Sequence, residues 1–299
     1  MLPQRVPPFS YHRLVPPKSR LGQNFLRDPQ AIRRIVAALG DCGGRTVVEI
    51  GPGMGAITRE LAAKAGKVLA LEVDRELAAS LSAEFAKGSA ERNGAGSNVE
   101  IETVDVLAFD FAAASVAAGE PLIVAGNLPY YITSPILLKL AENAAVLDRA
   151  VLMVQREVAD RVTAAPGSRD YGLLSVTVQM HGPVEPLFTL PPSVFSPPPE
   201  VHSTVFRWRF APRFEELGVS RQEFLGFMRQ VFALKRKTLT NNLRAAGIES
   251  ATAAAALSCA GIDLKARAES QSIEALARLW KCLKKVGATP TSEVAPAIH

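Results

Sequence analysis

The sequence predicts a Rossmann-like α/β fold, a doubly wound and mostly parallel sheet with an antiparallel edge, followed by a small all-α unit. Three observations carry that expectation. Short β-branched apolar runs alternate with helix-prone segments from Val47 to about Arg161, the pattern of a parallel sheet wrapped by helices. The first run, Val47-Val48-Glu49-Ile50, stops at Gly51-Pro52-Gly53-Met54-Gly55, and an alanine-rich segment starts directly after it, so strand, tight turn and helix follow one another. Beyond Pro212 the strand-like runs cease and helical patterning returns.

Composition bounds the rest. A chain of 299 residues with 48% hydrophobic content can bury one good core and a smaller companion. No run of eighteen apolar residues appears, so no segment is expected to span a membrane. The first twenty residues are proline-rich and basic without an apolar stretch, which argues against a secretory signal. Cys42, Cys259 and Cys282 are odd in number and far apart; they match neither a zinc spacing nor a disulfide framework, and a metal-free protein in a reducing cytoplasm is expected. Residues 1–40 hold seven Lys/Arg against one acid, 41–211 fourteen against twenty, and 212–299 thirteen against eight, so the formal charge of +5 resides at the two ends. Basic ends around an acidic middle suit a polyanion gripped at the periphery of a catalytic domain, although charge alone also fits a solvated surface.

Taken in order, residues 1–20 form a disordered extension, 21–211 a catalytic domain, 212–286 a helical domain and 287–299 a flexible tail. Asp28 and Pro29 read as N-cap and first residue of a helix through Leu39, with Ile32, Ile35, Val36 and Leu39 on its core face. The Gln23-Asn24 pair before it is either loop or lid. Residues 67–72 form a second strand, 74–87 a helix, 88–98 a surface loop, and 99–104 a third strand closed by Asp105. Residues 122–125 make a short buried strand and 150–154 a fifth. Two more strand-like runs, 173–180 and 201–208, have no long helix between them and suggest an antiparallel addition at the sheet edge, joined through the stiff proline loop 190–199. Ser220-Arg221-Gln222-Glu223 has the form of a capping box, and helices are expected at about 220–233, 236–246, 249–260 and 270–285.

Gly51, Glu72, Asp105 and Asn127 fall at the carboxyl ends of successive strands, where an open parallel sheet places its ligand crevice. The turn lacks the last glycine of the dinucleotide fingerprint, so a diphosphate is disfavoured. Glu72 can take both hydroxyls of a ribose. A glycine turn and a ribose acid without a phosphate lysine suggest a nucleoside that carries no phosphate, and S-adenosylmethionine fits. Each acid alone could equally be an N-cap; the succession is what argues for a site.

Asn127-Leu128-Pro129-Tyr130 is the sharpest feature. The lone pair of adenine's exocyclic amine is delocalised into the ring. An asparagine carbonyl and a backbone carbonyl aimed at its two hydrogens would favour a pyramidal nitrogen with the lone pair turned to a methyl donor. Proline fixes φ in the turn, and the tyrosine offers a face for stacking a base, worth roughly 1 to 3 kcal/mol. A plain Asn-Pro turn with a core tyrosine is the structural alternative.

Together, the stretches 21–26 (Leu-Gly-Gln-Asn-Phe-Leu), 49–53 (Glu-Ile-Gly-Pro-Gly), 72–74 (Glu-Val-Asp), 105–106 (Asp-Val), 126–130 (Gly-Asn-Leu-Pro-Tyr) and 194–203 closely resemble the rRNA adenine N6,N6-dimethyltransferases, over about residues 20–285. The basic stretch Lys235-Arg236-Lys237-Thr238-Leu239 resembles the second-domain signature of the bacterial small-subunit branch. The resemblance implies dimethylation of two adjacent adenosines in the 3′-terminal hairpin loop of 16S rRNA, within an immature 30S subunit, by a cytoplasmic monomer that uses S-adenosylmethionine and no metal. It implies that Asn24 and Leu26 cover the cofactor, Gly51 underlies its methionine portion, Glu72 holds the ribose, Asp105 meets its adenine, and Gly53 and Asn127 adjoin it. Asn127 and Pro129 would orient the target amine and Tyr130 stack on its base, while Phe195 would supply the opposite face or serve only as a packing anchor. Lys235, Arg236 and Lys237 would contact RNA. Three departures stand out: Tyr131 where many relatives have asparagine, a long 88–98 loop, and the extra N-terminus. Leu128 and the 235–239 stretch count against a resistance-type 23S rRNA methyltransferase, and the intact 127–130 turn against a non-catalytic nucleic-acid-binding relative.

Overall fold

The central strands are continuous apolar runs because helices cover both faces of the sheet that they form. The structure, a computed structural model, describes residues 24–91 and 98–288. β1 (Phe25–Leu26) and α1 (Pro29–Ala38) lead into β2 (Thr46–Ile50), α2 (Ala56–Ala62), β3 (Lys67–Glu72), α3 (Arg75–Glu91), β4 (Val99–Thr103), α4 (Phe111–Ala118), β5 (Leu122–Asn127), α5 (Thr133–Glu142), β6 (Leu147–Gln155) and α6 (Arg156–Val162). Then come α7 (Leu173–Met180), β7 (Val184–Leu190), β8 (Phe195–Ser196) and β9 (Ser203–Arg209), and finally α8 (Arg221–Val231), α9 (Leu239–Ala245), α10 (Ser250–Cys259) and α11 (Ile273–Lys285). The Asp28 carboxylate accepts from Ala31 N at 2.7 Å, so α1 starts at the cap that the sequence predicts.

Seven strands form one sheet in the order β4-β3-β2-β5-β6-β9-β7. The first five are parallel, and β9 and β7 add antiparallel at the edge. The chain winds outward from β2 through β3 to β4 and, in the other direction, from β5 to β6. A crevice therefore opens between the carboxyl ends of β2 and β5, where Ile50 lies opposite Gly126. Alternate residues feed opposite faces: Val48 and Val124 pack under Ile136, Leu137 and Leu140 of α5, while Val47 and Ile123 pack under Ile32 and Ile35 of α1 and Leu61 of α2. A third core, with Phe224, Phe227, Leu276, Leu279 and Trp280, lies among α8–α11 and also takes in Ala164, Tyr171, Val176 and Met180 from before residue 212.

Residues 173–180, expected as a strand, are the helix α7. Ser, Thr and Gln alternate with apolar residues there and mimic a strand, but each polar side chain bonds to nearby backbone. Ser175 Oγ donates to Arg161 O (2.6 Å), Thr177 Oγ1 to Leu173 O (2.8 Å), and Gln179 Nε2 to the carbonyls of Val162 (3.0 Å) and Ala164 (2.9 Å). The helix is wedged between two cores, Val178 on the sheet side and Val176 and Met180 on the helical side, so it has no polar face to betray its period. The edge strand is instead β7, which tolerates Pro186 because it lies at the sheet's end and shifts register between Pro186 and Phe188.

Three smaller expectations are also corrected. Ser220 stands at the N-cap of α8 but its side chain makes no cap bond, and Glu223 pairs instead with Lys284 of α11 at 2.9 Å. The helix expected to end near Lys87 runs to Glu91, so the 88–98 loop is shorter than predicted, and residues 92–97 lie outside the described residues, as do the 1–20 extension and most of the 287–299 tail. A disulfide joins Cys259 to Cys282, because the packing of α10 against α11 brings their Cα atoms to 6.1 Å, a proximity that a sequence separation of 23 does not reveal. Cys42 is free and buried. No helix among the described residues is long and apolar enough to cross a membrane.

Candidate active site

Gly51, Gly53 and Gly55 all have positive φ (67°, 56° and 74°), which lets the chain turn sharply from β2 into α2. At Gly53 a Cβ would also press on the Phe25 ring at 3.0 Å, so a side chain there would have to displace that ring. At Gly51 a Cβ would lie 3.8 Å from the Asn127 carbonyl oxygen, so the turns after β2 and β5 face each other.

Glu72, at the end of β3, is 3% exposed; its Oε2 accepts from Gly53 N and its Oε1 from Asp74 N, both at 3.0 Å. Burial pushes its pKa up, and the two N–H donors pull it back toward the charged form. Glu49, one residue inside the end of β2, is also buried, and desolvation raises its pKa to about 7, with the nearby Thr58 hydroxyl opposing and the Glu72 charge adding to the rise. Neither Glu49 Oε2 nor Thr58 Oγ1 reaches hydrogen-bonding geometry with any described group. Asp105, just past β4, turns its carboxylate to accept from Leu107 N at 2.9 Å.

The Asn127–Tyr130 turn is braced at every residue. Asn127 Nδ2 donates to Asn24 O (3.0 Å), Leu128 N to Met153 O (2.9 Å) and Thr133 Oγ1 to Pro129 O (2.9 Å), and the Tyr130 hydroxyl bonds Ser203 Oγ (2.9 Å). With its amide nitrogen held by Asn24, Asn127 turns its carbonyl oxygen the other way as an acceptor. The Pro129 carbonyl is occupied by Thr133 Oγ1 and Ile132 N, whereas the Leu128 carbonyl accepts no hydrogen bond among the described residues.

One cleft is lined by Asn24, Leu26, Gly51, Gly53, Glu72, Asp105, Asn127, Pro129 and Tyr130, nine residues singled out by the sequence, and by Glu49. Phe195 is not among them. It is 5% exposed and packed in the core beneath α1, and β8 pairs with β1 so that Leu26 lies opposite Phe195. The segment carrying Phe195 thus pins the Asn24–Leu26 lid from behind, with Arg27 N donating to Val194 O at 2.9 Å, and its ring offers no face to the cleft. Lys235, Arg236 and Lys237 lie outside the cleft too, exposed in the turn between α8 and α9, where Arg236 adopts φ 64°. Asn242 builds that turn: its buried Oδ1 accepts from Leu234 N at 2.9 Å. Sequence reasoning missed the apolar part of the lining, chiefly Phe25, Val73, Val106, Leu107, Tyr131 and Ile132. The available signal was adjacency, since each directly follows a named site residue or its neighbour. Val73 and Tyr131 are 52% and 59% exposed, unusual for large apolar groups that periodicity would send inward.

A nucleoside cofactor fits this lining: a buried acid, Glu72, for a ribose diol, an exposed one, Asp105, for an adenine amine, apolar walls at Val106 and Leu107, and a glycine turn without a phosphate lysine. Among the described residues no group of three or more His, Cys, Asp or Glu is placed to hold a metal. Such a cleft, at the switch point of a doubly wound sheet, is that of a Rossmann-like methyltransferase dependent on S-adenosylmethionine. A family model described as ribosomal RNA adenine dimethylase matches residues 16–285, and the chain belongs to that family. It is an rRNA adenine dimethyltransferase. It is 56% identical to "Ribosomal RNA small subunit methyltransferase A" of Acidobacterium capsulatum, over 89% of this chain and 91% of that protein. A protein of the same name from Koribacter versatilis is 47% identical over 90% and 95% of the two chains. Two solved structures share the fold: a dimethyladenosine transferase from Plasmodium falciparum (TM-score 0.73, 21% identity, 89% of this chain and 100% of that one) and the 23S rRNA methyltransferase ErmE (TM-score 0.66, 27% identity, 87% and 100%).

Proposed function

We propose that this enzyme dimethylates N6 of two adjacent adenosines in the 3′-terminal hairpin loop of 16S rRNA, acting as a cytoplasmic monomer on an immature 30S particle. The small-subunit name of the relatives at 56% and 47% identity supports the choice of RNA, as do Leu128 and the 235–239 stretch. The single observation that carries the chemistry is that the Asn127 turn and the glycine turn face each other across one cleft.

Bound there, S-adenosylmethionine supplies an electrophilic methyl group. Glu72 would hold its ribose, Asp105 its adenine, Gly51 and Gly53 its methionine portion, and Asn24 and Leu26 would cover it. The two acceptors for the target amine are Asn127 Oδ1 and the Leu128 carbonyl, the first aimed by Asn24 and the second left free by the turn. Pro129 contributes its fixed φ of −60° rather than its carbonyl, which Thr133 already occupies. Neither acceptor takes up a proton, so the amine proton leaves to solvent after transfer. Tyr130, half-buried and kept neutral by burial, would stack on the base. The adenosine must leave its stack to reach the cleft, which costs least in a loop, and orientation supplies most of the rate. Residues 21–211 are read as the catalytic domain and 212–286 as an RNA-binding domain that presents Lys235, Arg236 and Lys237.

The test is to incubate the protein with labelled methyl donor and immature 30S particles from a strain lacking this modification, then to map the label. Two dimethyladenosines in the terminal hairpin are expected. Label confined to 23S RNA would overturn the reading.

A further inference from the structure

Tyr130 sits in a short 3-10 turn, Tyr130–Ile132, at the edge of the cleft. Its hydroxyl reaches out of the turn to Ser203 Oγ at 2.9 Å. Ser203 is fully buried at the first position of β9, with Gln155 of β6 opposite on one side and Leu190 of β7 on the other, so it is fixed within the antiparallel edge of the sheet. Among the described residues its hydroxyl has no other hydrogen-bond partner. A buried serine in a strand among Val205, Phe206 and Trp208 therefore serves one contact, and that contact ends on the ring proposed to stack on the target base.

We propose that Ser203 is a positioning residue that fixes the place of the Tyr130 ring in the cleft for the flipped adenine, so that the antiparallel edge of the sheet takes part in substrate orientation. The inference rests on the reading of Tyr130 as the stacking face. A ring tethered at its hydroxyl as well as at its backbone no longer swings about the Cα–Cβ bond, so its place is set before the base arrives, and a base held against it in reactive geometry raises the rate of the bound complex. Phe195 lies buried in the core and offers no second face, so the tethered Tyr130 ring sets where the base lies relative to Asn127 Oδ1.

The test is a double-mutant cycle in the full-length protein, with Ser203→Ala, Tyr130→Phe and the pair, each assayed on unmethylated 30S particles. Each single variant is expected to lose about tenfold in kcat, the rate equivalent of one hydrogen bond, with the KM for S-adenosylmethionine unchanged. The double variant is expected to lose no more than either single one, because both remove the same bond. Losses that multiply in the double variant, or wild-type kcat in Ser203→Ala, overturn the proposal. If Ser203→Ala does not fold, Tyr130→Phe reads the same bond without altering β9, and wild-type kcat there overturns it as well. A wild-type enzyme that leaves the particles unmethylated sinks the underlying reading and is distinguishable from any of these results.

Discussion

The Asn127–Tyr130 turn and the Leu234–Thr238 turn are both irregular segments braced by side-chain hydrogen bonds, but they are braced from different distances. The first is tied to Asn24, Met153 and Ser203, partners that lie far away in the chain and meet only when the sheet has formed. In the second, Asn242, eight residues on from Leu234, accepts from Leu234 N and Thr238 caps α9 through Asn241 N at 3.3 Å, while one distant residue, Arg267, bridges to Thr238. Geometry that must orient a reacting nitrogen is assembled largely from long-range contacts, whereas the residues that present three cations are shaped by a neighbour in the next helix and anchored from afar at one end only. Chemistry depends on tenths of an ångström, and long-range electrostatic attraction does not.

Four experiments break or sharpen that contrast. The largest effect is expected at Asn127→Ala, which removes an acceptor and the tie to Asn24: kcat should fall by about 100- to 1000-fold, as for loss of an oriented polar group in other active sites, while calorimetry still detects cofactor binding. Retained turnover would remove the proposed role of the turn.

Next in size is Glu49→Gln. Burial raises the folded-state pKa of Glu49 to about 7 from an ordinary 4.5, so the folded protein binds a proton that the unfolded chain has released, and the wild type loses stability as pH rises between those values. The variant has no such proton to lose. Its stability advantage should be small below pH 4.5, widen to about 3 kcal/mol near pH 7 and stay constant above, as read from denaturant melts at several pH values. A gap that narrows with rising pH would show that Glu49 is not a buried, unpaired acid.

Asn242→Ala should cost about 2 kcal/mol, because it removes a buried side chain together with its bond to Leu234 N and loosens the basic turn. Its effect on kcat should be far below that of Asn127→Ala, since the two turns do not share contacts. The smallest effect is expected for Lys235, Arg236 and Lys237 changed together to alanine: RNA affinity about tenfold weaker, and the dependence of log K on log salt shallower by about 2. An unchanged salt slope would move the RNA contact elsewhere on the surface.

Much of the site was legible because the residues that carry it punctuate strands. Gly51, Glu72, Asp105 and Asn127 interrupt apolar runs, and an interruption at a strand end is visible without coordinates. Phe195 was not legible. A phenylalanine beside prolines suits a ring in a cleft as well as a ring in a core, and only the pairing of β8 with β1 turns it inward. Residues 173–180 misled because a helix buried on both sides loses the polar face from which periodicity is read. Ser203 was invisible as anything beyond a strand serine, its partner being 73 residues away.

The alternation of strands and helices as far as α6, the glycine turn, the acids at strand ends and the Asn-Leu-Pro-Tyr turn were set by local chemistry and are readable from the sequence alone. Which oxygen of that turn stays free, which aromatic faces the cleft, and the bridge between Cys259 and Cys282 were decided by tertiary structure. A side chain's direction depends on which distant backbone lies beside it, and a linear pattern of residue types carries no record of that neighbour.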